Sequence, residues 1–375
     1  MNREQTPDRS GVTGAVMALA GGAGPRAVTP AIVESPHLLT GVAAVSPGEV
    51  WVVGTAGQQP LAARWDGASW TLPPGPPVEA ALVGAGLQGI ARLGPSRAAR
   101  GAPSDAASNV VRLPRGGADG PPLAVAVGGA YDRLAGAEVP LIRHWNGSSW
   151  TAWSAPGLDR GLVLTAVAAT GEGTAWAVGH GFPWGPVDGP VALRWTGSDW
   201  LPAPMPEVPL GKLLAVAGTA PDDVWAVGAA GREGLVMHYD GRAWSRVPSP
   251  ATRFPLTGVA APSPSEAWAV GRDRVLRWNG RKWSRVKSPV TAANTIAAPS
   301  PDDVWVAGGR GELAHFDGRR WAAATSPEPF ATAAVWLASA ATGPDGAVWL
   351  AGSRQVTRAG TMNGAPSITA RSTDT

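Results

Sequence analysis

The sequence predicts an all-β fold, a seven-bladed β-propeller of four-stranded antiparallel blades, and three observations carry that prediction. A short motif recurs as Val50-Trp51, Ala175-Trp176, Val224-Trp225, Ala267-Trp268, Val304-Trp305 and Val348-Trp349, each followed by two small or apolar residues and Gly. A seventh copy, Leu123 to Gly128, lacks the Trp. A second motif recurs independently as Arg64-Trp65-Asp66-Gly67, His144-Trp145-Asn146-Gly147, Arg194-Trp195-Thr196-Gly197, His238-Tyr239-Asp240-Gly241, Arg277-Trp278-Asn279-Gly280 and His315-Phe316-Asp317-Gly318, with Trp three residues after each Gly. The spacing between copies, about 37 to 50 residues built of strands alone, is the mark of stacked sheets that cannot each bury two faces unaided.

The clearest copy, Leu213 to Pro250, justifies the blade element by element. Alternating small and apolar residues around Val216 make a first strand, and Pro221-Asp222-Asp223 turns it into a second, Val224 to Val227, that closes on Gly228. Leu235 to Tyr239 forms a third, the Asp240-Gly241 pair turns it, and a fourth carrying Trp244 and Val247 ends at Pro248 and Pro250. First strands are expected near Leu39, Leu87, Leu164, Leu213, Leu256, Ala293 and Trp336. The seventh unit is read as three strands from Trp336 to about Arg358 without a Gly-x-x-Trp strand. Ala31 to Pro36 is expected to supply the missing fourth strand and close the ring, removing exposed sheet edges.

One propeller is thus expected over residues 31–358, with an insertion at about 94–122 in blade 2 and disordered tails at 1–30 and 359–375. The 50 glycines and 37 prolines fall at strand ends, and 19 tryptophans are too many for a solvated chain. Zero cysteines exclude a disulfide framework, thiol catalysis and thiolate zinc sites. No apolar run approaches the roughly 20 residues of a membrane span. A net charge of +3 gives no indication of nucleic acid. Arg3 and Arg9 before the apolar stretch Gly11 to Ala20 have the outline of a weak signal peptide, so an extracellular, secreted protein is expected, with a cytoplasmic one as the alternative.

With these motifs in hand, the units L-x-x-V-A-x-x-S-P-x-D-V-W-A-V-G and L-x-H/R-W-D/N-G-x-x-W resemble tandem repeats of exported actinobacterial and myxobacterial proteins, a group that includes the dispase autolysis-inducing protein. The resemblance covers residues 31–358, implies the propeller fold and a secreted setting, and carries no catalytic motif. Blade 2 departs from the pattern by its missing Trp and its insertion.

Six tryptophans fall in the second strand, four in the third and six in the fourth, and this recurrence marks them as interblade core. The Arg or His before each third-strand aromatic, and Glu49, Asp223, Glu266 and Asp303 before the second strand, recur too, so they are expected to pair between neighbouring strands. No catalytic residue, metal site or cofactor is expected. What does not recur is the stretch between second and third strands in blades 2 and 3, which is long and lies on one face of adjacent blades. It carries Tyr131, Asp132 and Arg133 in one blade and His180, Phe182, Trp184 and Asp188 in the other. These are the binding candidates, with Phe182 and Trp184 folding back as a rim plug the competing expectation. The functional expectation is a non-catalytic, monomeric binding module whose partner is a protein, a secreted protease being the partner that the resemblance implies. The alternatives are a glycan-binding propeller and a glycoside hydrolase or lyase propeller.

Overall fold

The computed structural model describes residues 11–20, 23–27, 37–46, 49–93, 123–153, 160–171, 173–183, 185, 187–326 and 335–356. They form seven sheets of four antiparallel strands. Six blades are consecutive in sequence: 37–71, 82–153, 162–203, 211–246, 256–286 and 293–324, each running from the innermost strand outward. The turns between innermost and second strands and between third and outer strands lie on one face, here the lower. The connections between second and third strands, and from one blade to the next, lie on the upper.

Blade 7 closes the ring with chain from both ends. Its innermost strand is Val335–Thr342 and its second Val348–Val356, but its third is Gly11–Ala20 and its outer strand Ala23–Ala27. The third strand pairs antiparallel from Gly11 opposite Val356 to Leu19 opposite Val348. The expectation of three C-terminal strands is therefore corrected to two, and residues 11–27 are not a tail. The physical reason lies in the apolar run itself. Val16 and Met17 are fully buried and point to opposite faces, Val16 among Leu39 and Val42 of blade 1 and Met17 among Leu313 of blade 6 and Leu350. A strand covered on both sides is apolar throughout, and by composition it looks like the core of a signal peptide. Residues 31–36, 94–122 and 359–375, on which other expectations rested, lie outside the described residues.

The recurring tryptophans lock each blade to the next. Trp51 of blade 1 sits 4.8 Å from Trp145 and 5.0 Å from Trp150 of blade 2. Trp176 meets Tyr239 and Trp244 in the same way, Trp225 meets Trp278 and Trp283, and Trp268 meets Phe316 and Trp321. Each of these four second-strand indoles is thus clamped by the third- and outer-strand aromatics of the following blade. At about 25 cal/mol per Å², burying ~150 to 250 Å² of indole contributes about 4 to 6 kcal/mol before entropy is counted.

Blade 2 has Val125 where the others have Trp, and the structure replaces the missing ring from another direction. His144 and Trp153 stack at 4.9 Å and together cover Trp195 of blade 3, at 4.8 and 5.5 Å. The Nε1–H of Trp200 donates to His144 Nε2 at 3.0 Å.

The glycine that ends each second-strand motif is there for close approach. A Cβ on Gly228 would lie 1.8 Å from the Lys212 carbonyl oxygen, and one on Gly54 would lie 1.8 Å from that of Leu38. The innermost strand bulges at these levels, between Leu213 and Ala215 and between Leu39 and Gly41.

Candidate binding site on the upper rim

Residues that recur on the lower face are consumed by structure. Arg64 pairs with Glu49 and Arg277 with Glu266, each at 2.8 Å, and each carboxylate also accepts from the indole Nε1–H of its own blade, Trp51 or Trp268. His238 meets Asp223 at 2.8 Å and His315 meets Asp303 at 2.9 Å. The turn carboxylate of Asp240 accepts from the amides of Arg242 and Ala243, both at 2.9 Å, and those bonds hold its pKa below the ordinary value. Among the described residues no group of three or more His, Cys, Asp or Glu side chains could hold a metal ion.

The non-recurring stretches of blades 2 and 3 do lie side by side on the upper face. Between them runs the start of blade 3, where the amide of Gly161 donates to the Glu138 carbonyl at 2.6 Å and a Cβ on Gly185 would be 3.4 Å from Gly161 Cα. They are built differently. In blade 2 the long stretch is mostly an extension of the hairpin: the second strand continues to Asp132, the third resumes at Ala137, and the innermost strand pairs alongside from Leu82. A four-residue turn remains. Asp132 shapes it, accepting from the amides of Leu134 at 2.8 Å and Ala135 at 3.2 Å, while Gly136 supplies the positive φ of 65°. The carboxylate expected to face a ligand is thus committed to the turn. Tyr131, Arg133 and Leu134 are exposed, Tyr131 by 41% and Leu134 by 89%.

In blade 3 the described residues after the second strand, 182, 183, 185 and 187–189, form no strand and fold onto the blade. His180 belongs to the second strand rather than the loop and is only 8% exposed, with the half-buried Phe182 ring 5.3 Å away. Burial, reinforced by the Lys212 charge, lowers the His180 pKa to about 4, so its imidazole is neutral near pH 7. Val187 packs inward against the core shared by blades 2 and 3, and Gly181 donates to the Gly189 carbonyl at 2.9 Å. Phe182 is half-buried beside His180, and His180 itself is a buried residue of the second strand rather than an exposed contact residue. Trp184 lies outside the described residues, and Asp188 is exposed.

Sequence reasoning missed Leu134. It weighed aromatic and charged residues on the loops, whereas the exposed tip of a rigid hairpin is where a leucine has no burial of its own. It also missed the apolar companions on the same face, Leu38, Leu210, Phe254 and Trp336, because each sits at or just before the start of an innermost strand and reads as core. Leu210 adds a strained backbone, with φ 58°.

With this geometry in place, comparison with solved structures finds the same ring. A structure of YCF48 bound to a D1 peptide matches with a TM-score of 0.53 at 14% identity, over 87% of this chain and 95% of that one. A catalytically inactive variant of virginiamycin B lyase from Staphylococcus aureus, solved with quinupristin, matches with a TM-score of 0.56 at 10% identity, over 90% and 99%. The WD40 propeller domain of Doa1 matches with a TM-score of 0.50 at 9% identity, over 85% and 94%. The likeness is one of fold. No family model and no curated protein matches the chain. A peptide-bound propeller and a lyase stand together among the similar structures, so the activity has to be argued from the residues.

Proposed function

We propose that this propeller is a binding module that docks a protein partner on the upper rim of blades 2 and 3. The observation that supports it best is the hairpin tip: Tyr131, Arg133 and Leu134 stand exposed on a turn that Asp132 holds rigid. A large aromatic, an arginine and a leucine on a preorganised turn present apolar area and a forked donor at little entropic cost, which is the composition of an interface hot spot. The solved YCF48 structure carries a peptide on the same fold, in keeping with this use. The resemblance of the repeats to those of exported proteins supports an extracellular setting and a secreted protein, such as a protease, as partner.

The test compares wild type with Leu134→Asp and Tyr131→Ala in capture of partner from culture supernatant, followed by titration of the captured protein. Both side chains are exposed, so stability should change by less than about 0.5 kcal/mol. Affinity should fall by about 2 kcal/mol or more. Unchanged affinity in both variants refutes the rim as the docking surface.

A further inference from the structure

The innermost strands of all seven blades line an axial cavity of about 820 Å³. Its waist is apolar, made by Val42, Ile90, Val167 and their equivalents in the other blades. Nearer the lower face, the strand position opposite the start of each second strand lines the cavity in every blade. Six blades place a small residue there: Ala44, Ala169, Gly218, Ala261, Ala298 and Thr342. Blade 2 places Arg92, opposite Ala124. Arg92 is exposed to the cavity, is the one charged side chain among the described residues lining it, and has no hydrogen bond or ion pair with any described residue. Four residues back on the same strand is Gln88, also exposed and without a side-chain hydrogen bond to a described residue. In three other blades the position equivalent to Gln88 is a threonine whose hydroxyl donates to the next blade's backbone: Thr40 to the Leu87 carbonyl, Thr165 to that of Leu213 and Thr257 to that of Asn294. Blade 2 thus departs from the repeat twice, and both times it turns a polar group toward the axis.

We propose that the axial channel binds an elongated organic anion, its carboxylate on Arg92, its apolar body along the waist and its far end near Gln88. The guanidinium presents parallel donors that match a carboxylate in bidentate fashion. Among the described residues lining the cavity there is no carboxylate to compete, and the Ala, Val and Ile side chains lower the local dielectric, which strengthens the pairing over what an arginine in bulk water offers. A cavity of this size falls within the range of small-molecule sites, which combine apolar walls with a few fixed polar groups. Along an extended strand Gln88 and Arg92 are separated by roughly 13 Å, the length of a medium-chain acid. The site is independent of the rim hairpin.

Titration of the full chain with octanoate, octanol and acetate, followed by calorimetry, tests the proposal. Octanoate should bind saturably and at least tenfold more tightly than either octanol, which lacks the charge, or acetate, which lacks the body. Arg92→Gln should weaken octanoate at least tenfold, Arg92→Lys should restore most of the loss, and Arg242→Gln, an exposed charge removed from a turn of blade 4, should change nothing. Arg92 is exposed, and matching thermal midpoints will show that the variants are folded. Equal binding of octanoate and octanol, an Arg92→Gln affinity within twofold of wild type, an equal effect of Arg242→Gln, or no saturable octanoate binding overturns it.

Discussion

His144 shows how one residue can carry an interface where its blade lacks the usual indole. An indole nitrogen only donates, so the bond from Trp200 requires a lone pair on His144 Nε2 and places the ring proton on Nδ1. Burial lowers its pKa to about 4, against about 6.5 in the unfolded chain. Between those values the unfolded state binds a proton that the folded state refuses, so the stability from this residue is complete above pH 6.5 and falls as pH drops toward 4. At pH 5 the loss is about 2 kcal/mol. Substitution by glutamine, whose carbonyl can still accept from Trp200, removes the titration. The loss of unfolding free energy from pH 7 to pH 5, taken from urea melts, should therefore be smaller in His144→Gln than in wild type by about that amount. An identical pH response in the two proteins would mean that the folded protein accommodates the charged imidazole.

At the scale of the element, blade 7 separates what the sequence shows from what it hides. Removing residues 1–10 should leave the thermal midpoint nearly unchanged, whereas removing residues 1–27 should lower it sharply, since only the second takes away two strands and the buried Val16, Met17 and Leu19. Two equal midpoints would show that the ring does not depend on its N-terminal strands. Six blades were legible because their turns and aromatics repeat: a third-strand aromatic, an outer-strand Trp and an x-Gly turn in all six, and a second-strand Trp in five, announce each element without knowledge of its neighbours. The closing strand was not, because its motif has eroded. Ala18-Leu19-Ala20-Gly21 aligns with His238-Tyr239-Asp240-Gly241 through the pairing of Ala18 with Trp349 and Leu19 with Val348, yet it keeps only the glycine and an apolar residue. The rim site was half legible for a related reason. Length variation singled out the stretches of blades 2 and 3, but whether a residue there is exposed, like Tyr131, or committed to a turn, like Asp132, depends on hydrogen bonds that sequence spacing does not encode. Arg92 was open to view as the one charge in a column of Ala, Gly and Thr, and became significant only once those seven positions met around one axis.

For the whole molecule, closure by strands from opposite ends of the chain makes one blade unlike the other six. Every other sheet pairs residues that are near in sequence, while Gly11–Ala20 pairs with Val348–Val356 across nearly the full length of the chain. Such a contact recovers its loop-closure entropy only when the rest of the ring is formed. Blade 7 also lacks the aromatic clamp: it sets Leu19 at the third-strand position, where Trp305 of blade 6 finds no ring such as Trp278 offers Trp225. Lower local stability at this seam follows, as an opening of blade 7 that leaves blades 3 to 5 folded. Native-state hydrogen exchange should find the amides of residues 12–19 and 349–355 exchanging through an opening of smaller free energy than those of residues 224–227 in blade 4. Met17→Ala, which empties a fully buried position, should lower the first opening by about 2 to 4 kcal/mol while changing the second much less. If Met17→Ala lowers both by the same amount, the ring opens only as a single cooperative unit and the seam has no separate existence.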